Sequence, residues 1–116
     1  MLNLLIVDDD QQMRSLIRSI IADLADSITE CSDGAEAQAC YAEHHPDWVL
    51  MDLTMPRVSG LTATRQIVAA DPAARIVIVT GHESQGLREA ARSAGARAYV
   101  TKESLLDLRE ILTAAT

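Results

Sequence analysis

The chain has no phenylalanine, one tryptophan and two tyrosines among its 116 residues. Its core must therefore be aliphatic, and the 48% hydrophobic composition supplies it as Leu, Ile, Val and Ala. Cysteine is scarce too: Cys31 and Cys40 stand without a motif spacing. The expectation is two buried or half-buried thiols in a reducing compartment, not a disulfide framework. Basic residues are outnumbered, 10 against 17 acidic ones, for a net charge of −7. That balance repels a phosphate backbone and argues against direct nucleic-acid binding. No apolar run approaches the ~20 residues needed to cross a bilayer. Met1-Leu2-Asn3 lacks the basic start of a signal peptide, and aspartates soon follow. These absences predict a cytosolic protein with no membrane partner. The length predicts one domain over residues 1–116.

Against this background one stretch stands out, Trp48-Val49-Leu50-Met51-Asp52-Leu53-Thr54-Met55-Pro56. Four apolar residues run into an aspartate, and a proline closes the segment. Such a run reads as a strand buried on both faces, as in a parallel sheet. Asp52 then falls where the strand emerges, the edge at which open α/β sheets bind ligands. Taken alone, this stretch favours Asp52 as a turn or capping residue, and the rest of the chain reverses that preference.

Leu4 to Val7 is a second apolar run, ending in Asp8-Asp9-Asp10. Met13, Leu16, Ile17, Ile20, Ile21 and Leu24 recur at helical steps, with Asp10 placed as the N-cap. Ser27 to Cys31 is a weaker strand. Ala35 to His44 is helix-prone and Pro46 ends it. Gly60 to Ala70 suggests a helix stopped by Asp71-Pro72. Ile76 to Val79 is β-branched throughout and ends in Thr80-Gly81. Leu87, Ala90, Ala91 and Ala94 line one helix face, capped by Gly95. Ala96 to Val100 reads as a short strand ending in Thr101-Lys102, and Leu105, Leu108, Ile111 and Leu112 form the buried stripe of a last helix. Strand and helix alternate five times with short connections. The pattern predicts a five-stranded parallel sheet with right-handed crossovers and helices on both faces.

In such a sheet, Asp8-Asp9, Asp52, Thr80 and Lys102 share one edge. Clustered carboxylates raise one another's pKa unless a cation intervenes. Mg²⁺ takes oxygen ligands from one or two carboxylates and phosphate oxygens. A carboxylate can attack phosphorus, with Thr80 and Lys102 contacting the phosphoryl oxygens.

These residues resemble the receiver domain of two-component response regulators. Leu5-Ile6-Val7-Asp8-Asp9-Asp10 resembles its acidic first-strand end. Met51-Asp52-Leu53-Thr54-Met55-Pro56, with Gly60, resembles its phosphoacceptor loop. Val79-Thr80-Gly81 and Ala98-Tyr99-Val100-Thr101-Lys102 resemble its other two signatures. The resemblance runs from Leu4 to about Leu112, and the ordered set is more specific than any one motif. It implies a doubly wound, flavodoxin-like sheet in the order 2-1-3-4-5.

It also implies roles. Asp52 is phosphorylated. Asp9 binds Mg²⁺ directly, Asp8 through water, and the Thr54 carbonyl is a further ligand. Thr80 and Lys102 contact the phosphoryl group, and Tyr99 is the aromatic that follows Thr80. Thr54 and His82 flank the hydrolytic water and tune lifetime, although His82 can also be a plain helix-start residue. A sensor histidine kinase or phosphotransfer protein is the implied donor. An output domain or downstream protein would read the fourth helix, fifth strand and fifth helix. A phosphorylation-dependent homodimer is left open, with no residue pattern marking one.

Glu103 stands where many receivers have proline after a cis bond. A non-proline cis bond costs roughly 3–4 kcal/mol, so Lys102–Glu103 is expected to be trans. Asp10 is read as a cap, His44 and His45 as a solvated helix end, and Trp48 as packing. Three other classes compete. An aspartate-nucleophile phosphatase would want an acid where Thr54 stands. A mononucleotide-binding module would want a Gly- or Ser/Thr-rich loop at Asp8-Asp9-Asp10. A degenerate receiver would be a phosphorylation-independent interaction domain, which the intact polar set argues against.

Overall fold

A computed structural model describes residues 2–114. Strands and helices alternate along them: β1 Leu2–Val7, α1 Gln11–Ile21, β2 Ala25–Cys31, α2 Gly34–His44, β3 Trp48–Asp52, α3 Gly60–Ala70, β4 Ile76–Thr80, α4 Gln85–Ala94, β5 Ala98–Thr101 and α5 Asp107–Thr113. All adjacent strands pair in parallel, in the order β2-β1-β3-β4-β5.

Successive strand residues point to opposite faces, and both faces are covered, so the central strands are apolar without interruption. Leu5, Val7, Val49, Met51, Ile76 and Ile78 pack with residues of α2, α3 and α4, such as Ala37, Ile67 and Ala91. Leu4, Ile6, Leu50, Val77 and Val79 pack with Ile17 and Ile21 of α1 and Leu108 and Leu112 of α5. Trp48 lies in this second layer, 5% exposed, with the Arg75 guanidinium 4.9 Å from its ring centroid.

Several boundaries differ from expectation: β1 begins at Leu2 instead of Leu4, α5 begins at Asp107, past Leu105, and three others have a local cause. β2 begins at Ala25, two residues early, because it pairs along β1 as a half-exposed edge with little apolar signal. α1 tightens into a 3₁₀ turn at Ala22–Leu24 instead of running on to Leu24. β5 begins at Ala98, not Ala96, because Ala96 still closes the end of α4 by donating its amide to the Ala91 carbonyl. The caps match the sequence. Asp10 accepts from the Gln12 and Met13 amides, and Gly95 ends α4 at φ 109°. No peptide bond among the described residues is cis, Lys102–Glu103 included. No helix among them is long and apolar enough to cross a membrane.

Candidate functional site

Parallel pairing aligns the strand ends. Val7 lies opposite Met51, Asp52 opposite Val79, and Thr80 opposite Thr101. The next residue of β1 and of β5 is therefore Asp8 and Lys102, beside Asp52 and Thr80. Ligand oxygens of Asp8, Asp9 and Asp52 lie within 4.8 Å of one another. Asp8 and Asp52 are buried, at 1% and 5% exposure, while Asp9 faces solvent.

Lys102, the single lysine of the chain, reaches this cluster. Its Nζ stands 3.3 Å from Asp8 Oδ2 and 3.3 Å from Asp52 Oδ1. Burial opposes its charge, but Asp52 and Asp8 outweigh that and hold its pKa above the ordinary value. Burial, then the charge of Asp8, push Asp52 up to about 6, against the pull of Lys102. One ammonium thus leaves the carboxylates undercompensated. Asp8 Oδ1 accepts the Asp10 amide at 2.9 Å. Asp8 Oδ2, also buried, has no donor aligned on it; Lys102 is close as a charge but is not aligned as a hydrogen bond. A buried, under-coordinated carboxylate oxygen beside two further carboxylates is a donor set that fits a hard divalent cation.

The backbone around Asp52 is held by close approach. The Gly60 amide donates to the Leu53 carbonyl at 2.9 Å. A Cβ on Gly60 would lie 2.0 Å from the Asp52 carbonyl oxygen, and one on Gly34 would lie 2.2 Å from that of Val58. Only glycine admits these contacts. Arg57 reaches from the same loop to Asp33, its Nε donating to Oδ2 at 2.6 Å. Thr54 is exposed within this loop. Gly81, across the edge, has no heavy atom within 4 Å of its Cβ position.

Thr80 is buried, and its Oγ1 accepts the His82 amide at 3.3 Å. The His82 carbonyl in turn accepts the Tyr99 hydroxyl. Thr80 and Tyr99 are thus joined through one exposed residue. Lys102 is tied to the same point, its amide donating to the Thr80 carbonyl at 2.7 Å. His44 and His45 stay exposed at the end of α2.

A model of the response regulator receiver domain matches residues 4–116. This chain belongs to the response regulator receiver family. Its members are phosphorylation-activated switches of two-component signalling systems. The chemotaxis protein CheY of Listeria monocytogenes is 40% identical over 103 residues, 88% of this chain and 87% of that protein. Among solved structures, a LuxR-family two-component response regulator from Aurantimonas has TM-score 0.88 at 38% identity, over 97% of this chain and 85% of that one. A chain of the CheX–CheY–BeF₃–Mg²⁺ complex from Borrelia burgdorferi has TM-score 0.87 at 27% identity, over 93% and 84%.

Two features of this receiver escaped the sequence reading. Arg14 donates Nη1 to the Asp8 carbonyl at 2.7 Å and Nε to Glu30 at 2.9 Å, bracing the acidic turn from α1 and β2. Its place on the polar face of an amphipathic helix was the available signal. The second is a cleft of about 260 Å³ between α4 and β5, lined by Gln85, Arg88, Arg92, Arg97 and Tyr99 among others. The Arg88 guanidinium stacks 4.6 Å from the Tyr99 centroid. Arg88 is paired with Glu83, while Arg92 and Arg97 make no ion pair with a carboxylate among the described residues.

Proposed function

We propose that this receiver takes a phosphoryl group on Asp52 from a sensor histidine kinase or phosphotransfer protein. The Asp52 carboxylate attacks phosphorus, the bond from phosphorus to the donor's imidazole nitrogen breaks, and the donor departs as histidine. The observation that carries this reading is the charge balance of the edge, three carboxylates against one ammonium. A deficit of two positive charges suits Mg²⁺. Asp9 and Asp52 would hold it directly, with the Thr54 backbone carbonyl, and Asp8 through water. When bound, Mg²⁺ neutralises the carboxylates and orients the phosphoryl oxygens. Lys102 pairs with one phosphoryl oxygen as a point charge, and the Thr80 hydroxyl donates to another. Thr54 and His82, both exposed, set how readily water reaches the phosphoryl group.

The signal leaves through His82. Once the Thr80 hydroxyl turns to the phosphoryl group, the His82 amide loses its acceptor, and the carbonyl holding Tyr99 shifts with it. Tyr99 lines the basic cleft on the α4, β5 and α5 side, where an output domain or downstream protein would dock. Free arginines there favour a partner segment carrying carboxylates. A phosphorylation-dependent homodimer would use the same side. The chain acts as a switch, its catalysis confined to its own phosphoryl transfer and dephosphorylation. A single receiver unit over residues 1–116 in the cytoplasm, with no nucleic-acid or membrane contact of its own, completes the reading.

Intact-mass measurement after acetyl phosphate treatment tests it. We expect a gain of one phosphoryl group with Mg²⁺, none without it, and none in Asp52→Ala. Modification that persists in Asp52→Ala, or that the wild type never shows, would overturn the assignment.

A further inference from the structure

Arg14 lies near the start of α1, with its side chain 15% exposed. Its guanidinium sits between acceptors on two other elements. Nη1 donates to the Asp8 carbonyl at 2.7 Å, and Nε donates to Glu30 Oε1 of β2 at 2.9 Å. Glu30 is held from its other side by Arg18, whose Nη2 donates to Oε2 at 2.7 Å. Burial works against the Glu30 charge, but Arg18 and Arg14 outweigh it and keep its pKa below the ordinary value. The planar fork of Arg14 is therefore anchored at both ends.

The Asp8 carbonyl belongs to the same planar peptide unit as the Asp9 amide. Asp8 is also pinned elsewhere. Its amide donates to the Cys31 carbonyl at 3.0 Å, and its Oδ1 accepts the Asp10 amide at 2.9 Å. The Asp9 carboxylate faces solvent and makes no ion pair among the described residues. Its backbone is what aims it, and Arg14 holds the peptide on which it turns. Charge acts in the other direction. A guanidinium beside the acidic turn repels a cation, so a purely electrostatic Arg14 would weaken metal binding.

We propose that Arg14 is a positioning residue for Mg²⁺ capture: by fixing the Asp8–Asp9 peptide it aims Asp9 at the cation, and this outweighs its repulsion. The inference rests on the metal site of the preceding reading. Groups that orient a ligand without touching the metal commonly govern affinity as strongly as this requires. The fork is essential to the role, because one donor must hold the carbonyl while another holds Glu30. A lysine would supply the charge at that place without the two-way hold.

Calorimetric Mg²⁺ titration of the full chain, with urea midpoints alongside, compares the wild type with Arg14→Met and Arg14→Lys. We expect affinity about tenfold weaker in Arg14→Met, and a loss in the same direction in Arg14→Lys. Charge alone predicts the reverse pattern, tighter binding in Arg14→Met and no change in Arg14→Lys. Tighter or unchanged binding in Arg14→Met would overturn the proposal, as would a lower urea midpoint with affinity intact, which marks a merely structural arginine. Should Arg14→Met fail to fold, Arg14→Lys decides, weaker binding supporting the role and equal binding overturning it. A second readout needs no metal. A hydrogen bond to a carbonyl alters the shielding of the amide nitrogen that follows it, so the Asp9 nitrogen resonance should move in both variants. Absence of Mg²⁺ binding in the wild type would count against the metal site itself. The Asp9 resonance then decides the positioning, and one unmoved in both variants would overturn it.

Discussion

The acidic edge and the basic cleft are built on opposite terms. At the edge, Asp8 and Asp52 are buried and converge on one lysine. In the cleft, three arginines gather around Tyr99 at the surface, and two of them lack an acidic partner among the described residues. Buried charge is costly unless matched, so the edge is sensitive to any change in charge. Solvated charge costs little and adapts to whatever approaches. Under the proposed function, the difference would give detection to the edge and recognition to the cleft. Between them stands His82, bonded on one side to Thr80 and on the other to Tyr99.

The sharpest way to break the contrast is Lys102→Met. Removing the one cation from two buried carboxylates should destabilise the protein by about 3 kcal/mol. Removing a positioned charge from the phosphoryl group should also slow phosphorylation about 10²-fold. Denaturant midpoints and acetyl phosphate kinetics report the two effects. Arg92→Ala, its counterpart in the cleft, should stay within about 0.5 kcal/mol of wild type. An equal loss from both would mean that the edge is no more strained than the surface.

A smaller effect is carried by pH. Asp52 has its folded pKa pushed up to about 6 by burial and Asp8, above its value of roughly 4 in an unfolded chain. The native state then binds the extra proton. Its contribution to stability is full below about pH 4 and lost as pH rises through 6, with about 2 kcal/mol of it lost between pH 4 and 6. Urea midpoints measured without Mg²⁺ should fall over that range. Asp52→Asn should flatten the decline, and Mg²⁺ should offset it in the wild type. A pH dependence between 4 and 6 that is the same in Mg²⁺-free wild type and in Asp52→Asn would refute the strain at the edge, because the lowered carboxylates such as Glu30 act equally in both.

The mildest test addresses the link. Tyr99→Phe removes the hydroxyl that His82 accepts and should cost about 1 kcal/mol. Phosphorylation should proceed at nearly the wild-type rate. The change in α4 and β5 amide chemical shifts on beryllofluoride binding should shrink. Undiminished shifts would show that the cleft learns of the edge by another route.

Most of the edge was legible in the sequence because a parallel sheet aligns its strand ends. Apolar runs that stop at Asp8, Asp52 and Thr80 announce their register on their own, and Lys102 follows one residue after β5. The cleft was not legible. Leu87, Ala90, Ala91 and Ala94 correctly marked the inward side of α4, but Arg88 and Arg92 carried no signal of their own. They become a cleft because Arg97 and Tyr99 are brought beside them, a juxtaposition that no local pattern encodes. Arg14 escaped for the same reason, since its acceptor is a backbone carbonyl. The start of β2 was missed because an edge strand needs few apolar residues.

Glycine gives the edge a direction of give. At Gly60 and Gly34, bare backbone presses on the carbonyls of Asp52 and Val58, so the Asp52 loop has no slack on that flank. At Gly81 the space is open. A load applied at Asp52 meets a stiff wall on one side and a free joint on the other. If Asp52 takes the phosphoryl group as proposed, the path of least resistance would run through residues 80–82 toward Tyr99, and the chain would act as a one-way lever whose fulcrum is two missing side chains.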